Sequence, residues 1–349
     1  MKILKNIALA PLTTLGIGGP ARWFVEATSE AEIAEACAWA RERRVPLFVL
    51  GGGSNVLVAD AGFDGLALHV AIQGMELGGM ELEGEVLRAA AGEAWDDCVE
   101  QALRADCAGL ECLAGIPGTV GGTPVQNVGA YGQEVASVIK RVRAFDRAAL
   151  EFVEFANAEC GFAYRRSRFN TTERGRYVVT RVAYRLRRHG APTLIYAELK
   201  AHFSGREGMP SLAEVAETVR GIRQNKGMLL VEGDPDCRSA GSFFKNPSVA
   251  SAVAERVKQI AAGAGVALRM FPQEGGLVKI PAAWLIEQAG FRKGYAMGAA
   301  GISSRHTLAL VNRGGARAEE IVALAEQIRA AVEAQFSIRL ETEPEMVGF

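Results

Sequence analysis

The sequence has almost no excess charge, few histidines and no paired cysteines, and each shortage excludes a class of protein. Its 39 Lys and Arg residues nearly balance its 40 Asp and Glu residues, so the net charge of −1 provides no basic field for nucleic acid. The four histidines and six cysteines contain no CxxC pair and no zinc-ligand spacing. We therefore expect free thiols, as in a reducing compartment, and no metal site.

Long apolar runs are also missing. No uninterrupted run is long enough to span a bilayer, and the N-terminal residues Met1–Lys5 lack the apolar core of a signal peptide. We therefore predict a cytoplasmic protein. A length of 349 residues, with 49% hydrophobic and 23% charged residues, is typical of a globular protein with two or three domains.

Glycine, in contrast, is abundant. Forty glycines cluster in short loops, which favours sites where backbone N–H groups approach a ligand closely. The first cluster, with Gly16, Gly18 and Ala21, matches G-x-G-x-x-A, the dinucleotide fingerprint. No apolar strand precedes it, and Pro20 lies inside the pattern. We interpret it instead as a turn that presents its backbone.

The second cluster, Gly51–Asn55, lies between two strand-like runs, Val45–Leu50 and Val56–Asp60. The pattern therefore predicts strand, loop and strand, without the helix of a dinucleotide fold. Consecutive N–H groups from three glycines, Ser54 and Asn55 can form a concave site for an anion. The alternative is a flexible hairpin tip.

The densest loop runs from Gly109 to Pro124 and continues to Gly132. Its glycine and proline content excludes a long helix or a central strand. Segments of this length without regular structure are usually either functional or disordered, and the interspersed Leu, Ile and Val favour order. We interpret it as a segment that wraps a ligand.

The stretch Ser239–Pro247 carries side chains suited to chemistry. It places a hydroxyl at Ser242, an ammonium at Lys245 and a carboxamide at Asn246 in close succession. Pro247 restricts the residue before it to extended geometry. The alternative is a surface turn with two core phenylalanines.

A basic cluster, Arg165, Arg166 and Arg168, lies among Tyr and Phe residues. Such a run is usually a solvated turn. An arginine held rigid beside aromatic rings can instead bind a carboxylate through two hydrogen bonds.

Apolar periodicity predicts the regular elements between these loops. Capping boxes at Ser29 and Ser211 start two helices, and the second ends at Asn225. Arg220, Arg223 and Lys226 lie near its end, where cations suit the helix dipole, and for Lys226 this is the alternative to a functional role. Further helices are predicted at 95–104, 248–263, 282–289 and from about 318. Further strands are predicted at 66–70, 86–90, 139–146, 177–186, 307–311 and 338–345.

Seven of these stretches, in this order, resemble the UDP-N-acetylenolpyruvoylglucosamine reductases (the MurB family) of peptidoglycan synthesis. They are Thr14–Ala21, Gly51–Val58, Gly109–Gly122, Gln126–Gly132, Tyr164–Ser167, Gly241–Pro247 and Leu340–Glu343. The resemblance implies an α+β chain, with the two-subdomain FAD-binding fold of vanillyl-alcohol-oxidase-like (PCMH-type) flavoproteins and a C-terminal α+β substrate-binding domain. The expected parts are FAD-binding subdomain 1 at 1–68 with 339–349 returning to it, FAD-binding subdomain 2 at 69–205, and the substrate-binding domain at 206–338.

The resemblance also implies ligands and the residues that hold them. Non-covalent FAD would lie on the glycine loops, at Gly51, Gly52, Gly53, Ser54, Asn55, Gly115, Ile116, Pro117, Gly118, Thr119, Gly121, Gly122 and Gly129. The UDP-sugar would contact Tyr164, Tyr196, Lys226 and Asn246, with Tyr196 similar to the tyrosine of the subclass whose extra loop closes over the nucleotide. NADPH would be the co-substrate. We expect a monomer with no nucleic acid or membrane partner.

The catalytic groups implied by the resemblance are Arg165, Ser242 and Glu343. NADPH would reduce FAD, and hydride would add to the enolpyruvyl group of UDP-N-acetylglucosamine enolpyruvate to give UDP-N-acetylmuramate. Charge that develops on the substrate carboxylate needs positive groups already in place, and Arg165 stays protonated. Ser242 would donate a proton to the inner carbon. A second negative charge would repel the intermediate, so we expect Glu343 to be protonated or hydrogen-bonded.

Two features depart from the family pattern. Pro344 follows Glu343, so we expect the last strand to end there. The segment between Lys226 and Ser242 is longer than usual, which leaves the role of Lys226 open.

Two other functions stay open from the sequence. One is another FAD oxidase or dehydrogenase of the same fold. No histidine lies in the Gly51–Asn55 or Gly115–Gly122 loops, which weighs against covalent flavin. The other is a non-catalytic protein that binds UDP-sugar.

Overall fold

The structure is a computed structural model that describes residues 1–81 and 84–349. Its helices are α1 (Glu30–Glu42), α2 (Trp95–Arg104), α3 (Ala197–His202), α4 (Leu212–Asn225), α5 (Ser251–Gly263), α6 (Ala282–Gln288) and α7 (Ala318–Phe336). Its strands are β1 (Leu4–Ala8), β2 (Pro20–Ala27), β3 (Leu47–Leu50), β4 (Val56–Val58), β5 (Phe63–Val70), β6 (Met75–Glu81), β7 (Gly84–Ala90), β8 (Cys107–Ala108), β9 (Gly129–Ala130), β10 (Gln133–Glu134), β11 (Ile139–Asp146), β12 (Glu151–Ala156), β13 (Tyr177–Arg188), β14 (Ser239–Ser242), β15 (Ser248–Ala250), β16 (Phe271–Pro272), β17 (Leu277–Lys279), β18 (Ala296–Met297), β19 (Ala300–Ile302), β20 (Ala309–Asn312) and β21 (Glu345–Val347). No helix in the described ranges is long and apolar enough to cross a membrane.

The chain forms two compact units. The first unit contains Met1–Ala8, Pro20–Gly53 and Phe63–Asn225, and the second contains Leu9–Gly19, Ser54–Gly62 and Lys226–Phe349. The chain therefore passes between the units several times, and both the early glycine turn and the end of the Gly51–Asn55 loop belong to the second unit.

Two sheets organise the first unit. In one sheet, of order β1-β2-β5-β3, β2 and β3 run parallel to β5 and β1 runs antiparallel to β2. The other sheet is antiparallel, of order β12-β11-β13-β7-β6, with β8 pairing to the end of β13. The core of the first unit contains residues from both sheets and from α1, α2 and α4. Its buried members include Val25, Ile33, Leu87, Trp95, Val182 and Val219.

Local sequence accounts for the helices of the first unit. The predicted apolar face of α1 is buried, at Ile33, Ala36, Cys37 and Ala40. Ser29 accepts a hydrogen bond from the Glu32 amide, but the Glu32 carboxylate accepts from Thr28, so the first predicted capping box is only half formed. The second is complete, because Ser211 and Glu214 each accept a hydrogen bond from the other's backbone N–H.

The second unit has its own sheet and core. Its sheet has the order β14-β20-β19-β18, and β15, β17 and β16 form a separate small antiparallel sheet. The predicted apolar stripe of α7 is buried in the core, at Ile321, Leu324, Ile328 and Val332. All six cysteines are buried free thiols, as the spacing predicts.

Two predicted elements of the second unit are wrong in position. The last strand is not at 338–345 but begins after Pro344, at Glu345, where it runs parallel to β4. Proline has no N–H for a ladder, so pairing starts with the Glu345 amide, which donates to the Asn55 carbonyl at 2.9 Å. The helix predicted from 248 begins at Ser251, because residues 248–250 pair as β15.

Candidate active site

In the first unit, two glycine loops meet backbone to backbone. Gly51 and Gly52 follow β3 directly. A Cβ on Gly52 would lie 2.6 Å from the Cα of Gly118, and a Cβ on Gly51 would lie 2.9 Å from Oγ1 of Thr119. Real Cβ atoms essentially never approach that closely. The contact therefore requires glycine at both positions.

The same loop presents backbone donors. Within residues 1–81 and 84–349, the N–H groups of Gly51, Gly52 and Gly53 donate to no backbone carbonyl. Gly53 has a φ of +62°, a conformation that glycine adopts without strain. Successive N–H groups of this kind form a concave surface for an anion such as a diphosphate. The strands on either side of the loop, β3 and β4, pair in different sheets, so the loop is not the tip of a hairpin.

The second glycine loop is fixed at the start of α2. The Gly118 carbonyl accepts from the Trp95 amide at 3.0 Å, and the Gly115 amide donates to Asp96 Oδ1 at 2.7 Å. Between these two glycines, Ile116 and Pro117 are half-buried. As predicted, the loop contains only short turns and no long helix.

The remaining predicted cofactor glycines differ in their surroundings. A Cβ on Gly121 would lie 2.7 Å from the Cβ of Ala91, and a Cβ on Gly129 would lie 2.7 Å from Cγ of Glu134. Packing within the protein therefore requires glycine at both positions. Gly122 is exposed and has nothing within 4 Å of an added Cβ.

Arg223 lies beside this loop, although sequence reasoning treated it only as a helix-dipole cation. It is 7% exposed, and its Nε donates to the Gly115 carbonyl at 3.0 Å. Its guanidinium also hydrogen-bonds Tyr131, whose pKa is raised to about 12, chiefly by burial. Arg223 is four residues after Val219, on the buried stripe of α4. A cation at a core position was the signal that could have identified it.

Tyr196 is part of an aromatic pair. Its ring meets that of Tyr131 edge to face, with centroids 5.1 Å apart, and it is 38% exposed. The segment before it is anchored, because the Thr193 amide donates to Oε1 of the fully buried Glu111 at 2.8 Å. The assignment of Tyr196 to the closing-loop subclass stays a prediction.

The basic cluster divides into different environments. Arg168 pairs with Glu173 and lies 4.2 Å from the ring centre of Phe155, so it has a structural role. Arg165 is half-buried with a φ of +56°, and its guanidinium carbon lies 5.4 Å from the centre of the Tyr164 ring. Left-handed backbone at a non-glycine residue costs free energy and often marks functional sites. Arg165 therefore lies beside an aromatic ring, and its role in binding a carboxylate stays a prediction.

In the second unit, Ser242 and Glu343 lie on adjacent chain segments. Ser242 ends β14, opposite Ala309 of β20. The Glu343 amide donates to the carbonyl of Phe243, the residue after Ser242, at 2.9 Å. The Glu343 carbonyl in turn accepts from Nδ2 of Asn55 at 3.4 Å. The backbones of Ser242 and Glu343, two of the three predicted catalytic residues, therefore lie near each other and near Asn55 of the glycine loop. Glu343 is about 100 residues from Ser242 along the chain and farther still from Asn55.

The rest of the Ser239–Pro247 stretch is built into the second unit. Phe243 and Phe244 are both core residues, each 1% exposed. Oδ1 of Asn246 accepts from the Ala282 amide at 2.9 Å, at the start of α6, and Lys245 pairs with Glu341 at 3.5 Å. The stretch is thus held at several points and is more than a surface turn.

Comparison with known proteins extends these observations. The family model described as "UDP-N-acetylenolpyruvoylglucosamine reductase, C-terminal domain" matches residues 234–347, and the "FAD binding domain" model matches residues 21–150. The curated UDP-N-acetylenolpyruvoylglucosamine reductase of Streptomyces coelicolor is 47% identical, over 99% of this chain and 90% of its own length. That of Thermobifida fusca is 44% identical, over 99% of this chain and 98% of its own.

A solved structure agrees. The crystal structure of UDP-N-acetylenolpyruvylglucosamine reductase (MurB) from Thermus caldophilus is 27% identical and covers 99% of this chain and 98% of its own, with a TM-score of 0.66. The predicted α+β fold, with an FAD-binding domain and a C-terminal domain, is confirmed.

Proposed function

Because the chain belongs to the UDP-N-acetylenolpyruvoylglucosamine reductase family, we propose that it reduces UDP-N-acetylenolpyruvoylglucosamine to UDP-N-acetylmuramate in peptidoglycan precursor synthesis. The observation that carries this function is the identity of 44–47% with curated reductases over 99% of the chain. The small-molecule partners are the UDP-sugar and NADPH. The protein acts as a monomer in the cytoplasm.

The first unit fits FAD. When bound, FAD accepts hydride from NADPH and supplies it to the enolpyruvyl group of the substrate. The N–H groups of Gly51, Gly52 and Gly53 would hold its diphosphate, since they follow one another along the loop and donate to no backbone carbonyl of the described residues. The loop from Gly115 to Thr119, whose Gly118 carbonyl accepts from the Trp95 amide, would hold the remainder of the cofactor.

Arg165 binds the carboxylate of the enolpyruvyl group. A guanidinium stays protonated and matches two carboxylate oxygens. Its half-buried position beside the Tyr164 ring restricts the side chain, which lowers the ordering needed when negative charge develops on the substrate.

Ser242 donates the proton that completes the reduction. Its backbone pairs opposite Ala309 at the end of β14, next to the segment that carries Glu343. A serine hydroxyl is a weak acid, but the carbon that receives the proton is strongly basic after hydride addition. Loss of a positioned general acid typically lowers the rate by roughly 10²–10⁴-fold.

Glu343 assists at the same end of the site, in its protonated form or as a hydrogen-bond partner. We expect Glu343→Gln to lower turnover strongly, since an amide can hydrogen-bond but cannot exchange a proton. Turnover near the wild-type value would remove the proton role and leave hydrogen bonding. Steady-state kinetics at saturating NADPH measure the difference.

The UDP-sugar contacts four side chains, those of Tyr164, Tyr196, Lys226 and Asn246. Asn246 is held at the start of α6, where its Oδ1 accepts a hydrogen bond from the Ala282 amide. NADPH and the UDP-sugar use the same cleft in turn. Inhibition by the UDP-sugar should therefore be competitive with NADPH, and independent binding of both ligands would contradict this.

A stopped-flow experiment tests the function. NADPH is added first, and then UDP-N-acetylenolpyruvoylglucosamine, while the flavin spectrum is followed. We expect bleaching by NADPH and recovery on addition of the sugar nucleotide under anaerobic conditions. Recovery that requires oxygen, detected as oxygen uptake, would instead indicate an oxidase. Purified protein that binds UDP-sugar without flavin would indicate a non-catalytic binder.

A further inference from the structure

We propose that Asp236 and Arg305 are positioning residues that hold the backbone beside Lys226, and so set the affinity for the UDP-sugar. The inference rests on the proposed role of Lys226 as a nucleotide contact. All of the residues concerned belong to the second unit.

Asp236 is the centre of a hydrogen-bond cluster. It is 7% exposed and accepts from the Ser304 amide at 3.0 Å, from Ser304 Oγ at 2.7 Å and from Nε of Arg305 at 3.0 Å. Arg305 also pairs with Asp234, whose Oδ1 accepts from the Asp236 amide. One guanidinium therefore joins two carboxylates that belong to a single turn.

This cluster packs directly against Gly227, the residue after Lys226. Gly227 is buried and has a φ of +64°. A Cβ on Gly227 would lie 3.0 Å from the Cβ of Asp236 and 3.1 Å from Nε of Arg305. The Gly227 backbone thus rests on the Asp236–Arg305 pair, and movement of that pair would be transmitted to Lys226.

The segment between Lys226 and Ser242 is also held by hydrogen bonds between its own residues. The Cys237 thiol donates to the Leu229 carbonyl at 2.7 Å and accepts from the Val231 amide at 3.2 Å. At its end, the Arg238 carbonyl accepts from the Asn312 amide of β20 at 2.9 Å. The longer segment noted in the sequence is therefore an ordered turn that leads from Lys226 into β14, where Ser242 lies.

An ordered backbone matters for a lysine side chain in particular. A lysine ammonium is carried on a flexible stem with a large rotamer entropy. Fixing the backbone beneath it lowers the ordering cost of binding. The Asp236–Arg305 pair should therefore act on binding of the nucleotide substrate and leave the rate of flavin reduction at saturating NADPH nearly unchanged.

The test is a double-mutant cycle with Asp236→Asn and Lys226→Ala. We expect Asp236→Asn to raise KM for the UDP-sugar about tenfold, the size typical of coupled neighbours, with the rate of flavin reduction at saturating NADPH unchanged. In the Lys226→Ala background, Asp236→Asn should have no further effect on KM. Additive effects, or an unchanged KM in Asp236→Asn, would overturn the inference.

Two further variants keep the test decisive if Asp236→Asn is poorly folded. Gly227→Ala places a methyl group against the Asp236–Arg305 pair, and should raise KM in the same way without removing a charge. Glu333→Gln breaks a pair with Arg339 in the same unit, and should leave KM unchanged. An equal rise in KM in Glu333→Gln would mean that any lost ion pair has this effect, and would also overturn the inference.

Calorimetry separates failure of this inference from failure of the proposed function. Wild-type protein that binds no UDP-sugar, although it is fully loaded with flavin, would overturn the proposed function and this inference with it. Wild-type binding that is retained in Asp236→Asn overturns the inference alone.

Discussion

In the first unit, the residues proposed to hold the cofactor act through their backbone, whereas in the second unit the residues proposed for chemistry act through their side chains. Gly51 and Gly52 serve by lacking a Cβ, next to Gly118. Ser242 and Glu343 act through a hydroxyl and a carboxyl group, on two segments that a backbone hydrogen bond joins. Cofactor binding and catalysis should therefore be separable by mutation.

The largest expected effect comes from removing the hydroxyl in the second unit. Ser242→Ala should lower turnover by roughly 10²–10⁴-fold, because no positioned proton donor remains. Flavin content and flavin reduction by NADPH should be retained, since the hydroxyl has no part in either. Rapid-mixing measurement of the two half-reactions tests this, and an equal loss in both would contradict the separation.

The reverse effect is expected in the first unit. Gly52→Ala forces the two glycine loops apart, and overpacking of this kind costs about 1–3 kcal/mol, or roughly 5- to 150-fold in flavin affinity. The ratio of flavin to protein absorbance after purification and dialysis measures the loss. Gly221→Ala, in α4, is the matched control, because an added Cβ there meets nothing within 4 Å and Gly221 is not among the residues proposed to hold flavin. Equal flavin content in both variants would show that the loop contact is not needed.

A smaller effect is expected from the buried cation of the first unit. Arg223→Lys keeps the charge but not the forked hydrogen bonds to Gly115 and Tyr131, which should cost about 1–3 kcal/mol of stability. Thermal denaturation of the flavin-loaded protein should show a clear fall in Tm. Glu217→Gln, exposed on the same helix, should change Tm little. Equal Tm values for the two variants would contradict a specific role for Arg223.

The smallest effect concerns acid stability in the second unit. Burial raises the pKa of Asp236, but hydrogen bonds from Ser304 and Arg305 outweigh it, so the pKa lies below its usual value, and the Arg305 hydrogen bond lowers the pKa of Asp234 as well. A carboxylate with a depressed folded-state pKa contributes stability above its unfolded-state pKa, and this is lost as the pH falls through the folded-state value.

Stability should therefore decline as the pH falls below about 4, and Asp236→Asn should flatten part of that decline. Thermal melts at a series of pH values between neutral and acid measure it. Parallel curves for wild type and variant would exclude a contribution from Asp236. The readout is independent of flavin chemistry.

Helix positions and faces were predictable because their causes are local. The faces of α1 and α7 follow from apolar spacing alone, and α2 runs from Trp95 to Arg104 as predicted. The strand after Pro344 was not predicted, because its partner β4 lies almost 290 residues away in the chain. Arg223 was misread for a related reason. Its spacing placed it on the core stripe of α4, but its partners Gly115 and Tyr131 come from another part of the chain.

The sequence by itself determined the helices, the glycine loops and the residue types able to carry the chemistry, because these depend on neighbours within a few positions. Only the tertiary structure decided which loop meets which, that Ser242 lies beside Glu343, and that Arg305 supports the turn next to Lys226. These contacts join residues far apart in the chain. Their geometry is set by sheet pairing and core packing, which no local pattern records.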